Sequence, residues 1–286
     1  MHATRHALDA CRQHWQHGPI DLIIEAWGEE EAVARAMDAA WTRFDKVLPE
    51  LVAELAWLRS PVDVALRVRG PVAQRMLAAC QPHATLFITP MAAVAGAVAD
   101  EICAFFAAES GVRKAYVNNG GDIALHLREG TSLTIGVIPH PQQARQAGDV
   151  TITSTMAVRG IATSGWRGRS FSLGIADSVT VLAANAAAAD AAATMIANAV
   201  NVEHPSIERA PANTRKDDTD LGARLVTLHV PPLAREQVLQ ALEAGMAVAR
   251  ACRARGLIDS ALLLLQGEAM QLEGAPSLRS ALKLAA

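Results

Sequence analysis

Lys114-Ala115-Tyr116-Val117-Asn118-Asn119-Gly120-Gly121-Asp122-Ile123-Ala124-Leu125-His126-Leu127 sets five turn-type residues between two strand-forming runs. It reads as a β-hairpin: a strand over Lys114–Val117, a turn over Asn118–Asp122 and a strand over Ile123–Leu127. Two glycines suffice for a tight turn, because glycine reaches positive φ without steric cost. Here Asn118, Asn119, Gly120, Gly121 and Asp122 stand together, and the missing side chains at Gly120 and Gly121 would let a ligand approach the backbone. Both readings, a turn and a binding loop, stay open at this point.

Downstream of the hairpin, Leu133–Ile138 reads as a strand and Gln142–Asp149 as a polar loop. Val158–Thr163, Ser170–Gly174 and Ser178–Leu182 read as short strands in a glycine-punctuated region. Asn185 caps an alanine-rich helix to about Val200. Residues 203–222 are polar and include Asp217-Asp218-Thr219-Asp220, so they read as an exposed surface excursion. Leu225–Val230 is an expected strand, Arg235–Arg255 a helix and Ala261–Leu265 a last apolar strand, with a weakly ordered tail after Gln271. Upstream, Thr89-Pro90 and Gly70-Pro71 each start a helix, since proline fits the first helical turn. Those helices run to about Glu109 and Cys80, with short strands expected at Thr85–Ile88 and Val62–Val68. Val33, Met37, Trp41, Phe44, Val47, Leu51 and Leu55 recur at helical spacing through Glu29–Ala56, behind a strand over Ile20–Trp27. Strands in hairpin order mixed with strands separated by helices make an α+β chain. No composition break marks a linker, so residues 1–286 read as a single domain.

Composition narrows the function. The 286 residues are 51% hydrophobic and 19% charged, which supports a packed core. A net charge of −3 argues against an electrostatic nucleic-acid binder. Aromatic residues are 4% of the chain, too few for a base-stacking platform. Cys11, Cys80, Cys103 and Cys252 form no Cys-x-x-Cys pair, and they read as small hydrophobes in a reducing compartment. The N-terminus carries no apolar run of the signal-peptide type. Residues 76–99 lack formal charge, but Pro82 and Pro90 break the window into helix ends rather than a membrane span. The expected location is cytoplasmic.

Three further places carry chemistry. In Ala162-Thr163-Ser164-Gly165-Trp166-Arg167-Gly168-Arg169-Ser170, hydroxyls and arginines converge near glycines, a combination suited to phosphate oxygens or simply to a solvated loop. Asp190, Thr194 and Asn198 recur at four-residue steps along the alanine-rich helix. A carboxylate and a hydroxyl one turn apart suit a hard cation such as Mg2+, and the alternative is a solvent-facing stripe. Asp100 ends the other small-residue helix, either as a candidate base or as a surface acid beside Glu101. Thr85–Asp100 and Thr180–Thr194 echo each other, each a short β-type run entering a helix of small residues whose backbone could pack closely against its counterpart. The nine histidines form no zinc pattern.

Taken in order, these pieces resemble the ApbE-like superfamily of flavin transferases. Its blocks include an Asn-x-Gly-Gly-Asp turn, matched by Asn118-Asn119-Gly120-Gly121-Asp122, and a Thr-Ser-Gly strand end, matched by Thr163-Ser164-Gly165. A Ser-Val-Thr-Val strand and an Ala-Asp-Ala-x-Ala-Thr helix are matched by Ser178–Val181 and Ala189–Thr194. The resemblance implies an α+β fold of duplicated, T-fold-related antiparallel sheets with packed helices. It implies FAD as the nucleotide, Mg2+ as the metal, transfer of FMN to a Thr or Ser of a protein acceptor, and a homodimer. By position, Asp190 and Thr194 match metal ligands, a carbonyl near Val94 matches a third, and Asp100 matches the last residue of a Lys-Gly-Tyr-x-x-Asp motif. Asn118–Asp122, Thr163, Ser164, Gly165 and Arg167 are the implied nucleotide pocket. Ala95 and Ala97 stand where that motif has Lys and Tyr, and the His-Ile-x-Asp-Pro segment is absent. Phe87–Gly96 and Gly160–Ser170 are closer to a cytoplasmic, UPF-type branch. Two functions are therefore expected: an Mg2+-dependent flavin-nucleotide enzyme, or a non-catalytic ligand-binding or accessory protein of a redox or sulfur-transfer pathway. A scaffold without a ligand is the third expectation.

Overall fold

The chain opens with β1 (Thr4–Ala7), β2 (Arg12–His17) and β3 (Ile20–Gly28), followed by α1 (Glu30–Ala53) and the single turn α2 (Leu55–Leu58). Then come α3 (Pro71–Cys80) and α4 (Val94–Ala108), with 3-10 turns at Gln81–His83 and Pro90–Ala93. β4 (Val112–Asn119), β5 (Asp122–Leu127), β6 (Ser132–Val137), β7 (Gly148–Thr153), β8 (Gly160–Ser164) and β9 (Ser178–Ala183) lead into α5 (Ala186–Ala199). β10 (Glu208–Pro211), β11 (Leu225–His229), α6 (Arg235–Ala254), β12 (Ser260–Leu265) and β13 (Glu268–Leu272) complete the order. The computed structural model describes residues 2–9, 11–63, 65–137 and 148–274. Most of the expected Gln142–Asp149 loop, and the end of the expected tail, lie outside the described residues.

Two compact units share the chain. One comprises Met1–Leu133, Ile152–Ala162 and Ala183–Ala191. Its antiparallel strands follow the order β1-β2-β3-β4-β5-β8. Alternate residues of β3, Ile20, Leu22, Ile24 and Ala26, are buried, as the period of two requires. Helix α4 packs on β4, β5 and α1, and Ile102 and Phe106 of α4 and Phe44 of α1 are fully buried. The stretch Pro90–Ala108 is long and apolar enough to cross a membrane by length and composition, and half of its window is buried. Between α1, α3 and α4, Glu101 accepts Arg43 Nε at 2.7 Å and Arg75 Nε at 3.1 Å. Glu101 is thus a buried, doubly paired acid rather than a surface residue.

The other unit comprises Thr134–Thr151, Thr163–Leu182 and Ala192–Ala286. In it, β12 lies antiparallel between β9 and β13. Helix α6 covers β12 and β13, while β10 pairs with β11.

Several expected elements are replaced. Val62–Val68 forms no strand among its described residues, because Asp63 Oδ1 accepts the N–H groups of Ala65 and Leu66 in a side-chain turn. Thr85–Ile88 is a turn and an irregular run, with Leu86 N–H donating to the His83 carbonyl. Ser170–Gly174 is also irregular: Asn198 Oδ1 accepts the Leu173 N–H at 2.9 Å and Thr227 Oγ1 donates to the Gly174 carbonyl at 2.8 Å. Residues 203–222 include β10 and a 3-10 turn at Ala212–Thr214.

Candidate functional site

The expected hairpin is present. Gly120 and Gly121 have φ of 66° and 116° and join β4 to β5, with Asn119 opposite Asp122. Nothing lies within 4 Å of a Cβ added at Gly121, so conformation rather than crowding requires glycine there. Asn118 Oδ1 accepts the Gly121 N–H at 2.8 Å and braces the turn. Asn119 is buried and turns inward. Its Nδ2 donates to the Ala95 carbonyl at 3.1 Å, and its Oδ1 accepts the Asp21 N–H at 3.5 Å.

Asp190 projects from α5 toward the start of α4. Its Oδ2 accepts the Gly96 N–H at 3.0 Å, and the Ala95 N–H also bonds the carboxylate. Burial pushes the Asp190 carboxyl well above the ordinary carboxylate range, the nearby Asp122 charge adds to this, the two backbone N–H bonds oppose it and Asp100 raises it further. The site therefore gathers negative charge in a low-dielectric setting, where a cation would be the direct compensation. Among the described residues no group of three or more His, Cys, Asp or Glu is arranged to hold a metal. Asp190 itself, with the Asp122 and Asp100 charges nearby, offers carboxylate oxygen, the donor type a hard ion such as Mg2+ takes with water completing the shell. The residues present fit that ion better than zinc.

Helix α5 approaches so closely because its neighbours lack side chains. A Cβ on Gly96 would sit 2.3 Å from the Ala186 carbonyl oxygen, and one on Gly160 would sit 2.0 Å from the Asn185 carbonyl carbon. The close backbone packing expected of the two small-residue helices is met at Gly96. Asp100 closes the arrangement: Oδ1 accepts the Ala186 N–H and Oδ2 the Ala187 N–H, both at 2.9 Å. Asn185 Oδ1 takes the Ala188 N–H at 2.8 Å, as expected of a cap. The first N–H groups of α5 are thereby used within the protein and are not an open anion site. Burial raises the Asp100 pKa, and the Ala187 and Ala186 N–H bonds and Arg75 pull it back.

Along α5, Asp190, Thr194 and Asn198 are mostly but not fully covered, on a helix whose other positions are mostly buried. Asn198 is spent on the Leu173 backbone. Thr194 follows Asp190 by one turn.

In its own unit, Thr163 is exposed and shares a 2.9 Å hydroxyl contact with Thr180. Ser164 is half-exposed. Gly165 lies where a Cβ would meet the Asp177 carbonyl oxygen at 2.6 Å. Arg167 Nε donates to Asp177 Oδ1 at 2.6 Å, and the guanidinium stacks 4.5 Å from the centre of the Trp166 ring. Asp177 Oδ2 also accepts the Gln266 N–H at 2.6 Å. Arg167 thus has a built-in carboxylate partner within the loop.

The sequence pattern of the family described as AbpE bacteria matches residues 3–271. The chain belongs to that family. This ApbE-like chain is 32% identical over 197 residues to a UPF0280 protein of Methanopyrus kandleri, covering 66% of this chain and 75% of that one. It is 32% identical over 186 residues to a UPF0280 protein of Methanothrix thermoacetophila, covering 62% and 75% respectively. Among solved structures it resembles the apo flavinyl transferase ApbE of Pseudomonas stutzeri, with a TM-score of 0.52, 12% identity and 99% of each chain covered. A mutant of the flavin transferase ApbE of Vibrio cholerae gives a TM-score of 0.50 at 12% identity, covering 99% of this chain and 100% of that one. These likenesses are of fold: mixed helices and antiparallel sheet.

In this ApbE-like chain, several residues that hold the candidate site together carry no signature in the sequence. Asp177 stands one residue ahead of β9, and nothing in its spacing to Arg167 announces their pairing. The Gly96 N–H is a backbone group with no sequence signature beyond the glycine itself. Ala97 is fully buried in the core, and Ala95 contributes its carbonyl to Asn119 rather than a side chain.

Proposed function

We propose that this chain binds a flavin nucleotide, FAD, together with Mg2+, and that the cation sits at Asp190. One observation carries the reading: a carboxylate held by the Gly96 and Ala95 N–H groups, with Asp122 and Asp100 raising its proton affinity; Thr194, one turn on along α5, is assigned as a second ligand by position alone. When bound, Mg2+ would neutralise pyrophosphate charge and polarise the bond to be broken. This chain's own contribution is to orient Asp190 through α4 and to hold the start of α5 through Asp100, which we assign as a positioning residue rather than a base. Thr163, Ser164 and Gly165 offer hydroxyl and backbone N–H groups of the kind that hold phosphate oxygens.

The test is a thermal-shift titration with FAD, FMN, ATP and AMP, each with and without Mg2+, on the wild type and Asp190→Ala. A ligand that binds only the native state raises its melting temperature. An FAD shift that needs both Mg2+ and Asp190 supports the reading; the same shift in Asp190→Ala removes it. A second reading, binding without transfer, is favoured by Ala95 and Ala97 at the motif positions and by the engagement of both Asp100 oxygens. AMP release from FAD in the presence of a protein acceptor separates the two: turnover supports FMN transfer, and binding without AMP supports the accessory role.

A further inference from the structure

The peptide group joining Ala95 to Gly96 is bonded at both ends. Its carbonyl oxygen accepts Asn119 Nδ2 at 3.1 Å, and its N–H donates to Asp190 Oδ2 at 3.0 Å. The C=O and N–H of one peptide are conjugated and point in opposite directions. A donor on the oxygen therefore polarises the N–H and strengthens the bond it makes, an effect favoured by low local dielectric. Both supports of this peptide are themselves fixed. Asn119 is buried, and the Asp21 N–H on its Oδ1 decides which end of the amide faces Ala95. Gly96 lies against the Ala186 backbone with no room for a side chain.

We infer that Asn119 is a positioning residue for Asp190. It acts through the Ala95–Gly96 peptide and sets the orientation and donor strength of the N–H that holds the carboxylate, without touching a ligand itself. Its bearing on cation binding rests on the assignment of the cation to Asp190. It also accounts for two neighbouring asparagines with different roles: Asn118 braces the turn, while Asn119 reaches across to α4.

The decisive variant is Asn119→Asp at neutral pH. It keeps the shape and the acceptor for Asp21, but sets a carboxylate oxygen against the Ala95 carbonyl in place of a donor. Two quantities are read: the amide resonance and hydrogen exchange of Gly96 in metal-free protein, and Mg2+ affinity by calorimetry. The relay predicts a shifted Gly96 resonance, exchange about tenfold faster, and Mg2+ binding weakened by about tenfold, the scale of one lost hydrogen bond. Added negative charge alone would strengthen cation binding, so a raised or unchanged Mg2+ affinity overturns the positioning role. An unmoved Gly96 amide overturns the relay itself. If wild-type protein shows no Mg2+ affinity, the cation assignment falls, and the Gly96 response still decides whether Asn119 acts through this peptide. Should Asn119→Asp fail to fold, Asn119→Ala is read against Val117→Ala. Val117 is a buried residue on the same strand, and its truncation should lower stability while leaving Gly96 in place. Equal Gly96 shifts in the two variants overturn the proposal.

Discussion

At the residue scale, Asp190 is a carboxylate whose burial and whose neighbours Asp122 and Asp100 oppose its charge. Asp190→Asn keeps its size and removes its charge, and the expected outcome is loss of the Mg2+ dependence of nucleotide binding with the fold intact, measured by calorimetry and circular dichroism. His126 gives a separate handle on pH. Burial lowers its pKa most; the Val112 carbonyl opposes this, while Arg128 and Arg159 lower it further. The unfolded chain therefore binds more protons than the folded one between the lowered folded value and the ordinary histidine value. Stability must then rise with pH through that window and fall on acidification below about 6.5. The melting temperature of His126→Gln should decline less over the same acid range than that of the wild type; parallel declines would show that His126 is not responsible.

At the element scale, the junction of α4, β8 and α5 depends on missing atoms. Gly96→Ala and Gly160→Ala would each drive a methyl into backbone, within 2.3 Å at Gly96 and 2.0 Å at Gly160. Each should cost about 1–3 kcal/mol in urea unfolding, the scale of an overpacked site. Gly96→Ala should also weaken Mg2+ binding, because it displaces the N–H that holds Asp190. The Glu101 cluster between α1, α3 and α4 is a second element-level joint. Glu101→Ala leaves Arg43 and Arg75 without their shared carboxylate, for a loss on the order of 3 kcal/mol, moderated by the exposure of Arg75 and by the Glu50 partner that Arg43 retains. Much of the element order was legible beforehand. Proline at helix starts, the capping Asn185 and the Gly120-Gly121 turn are local signals, and each appears where it was read. β1 and β2 were not legible. Their sequences, TRHA and RQHWQH, are polar, and only Trp15 and His17 of β2 are buried, which is too short an alternation to register. Val62–Val68 and Thr85–Ile88 failed for the opposite reason: apolar residues suggested strands, but Asp63 and the 3-10 turn ahead of Leu86 captured the backbone donors first.

For the whole molecule, ligand binding and stability are one equilibrium. If FAD with Mg2+ binds only the folded chain, a concentration one hundred times the dissociation constant adds about 2.7 kcal/mol of stability. The expected result is a melting temperature that climbs with FAD concentration only when Mg2+ is present. A flat response across the four nucleotides would turn the search toward protein partners.

The amino-acid sequence by itself determined the α+β class, the hairpin around Asn118–Asp122, the alanine-rich helix with its polar stripe, and the resemblance that family membership bears out. Those features depend on spacing, composition and the special backbone freedom of glycine and proline, all of which are local. Tertiary structure alone decided how the polar residues are used. Asp100 spans 86 residues of chain to reach the first N–H of α5, Asn119 spans 24 to reach Ala95, and Asp190 spans 94 to reach Gly96. Whether a polar side chain meets a ligand or a buried backbone group depends on which unsatisfied donors folding brings beside it. No spacing in the sequence encodes those encounters.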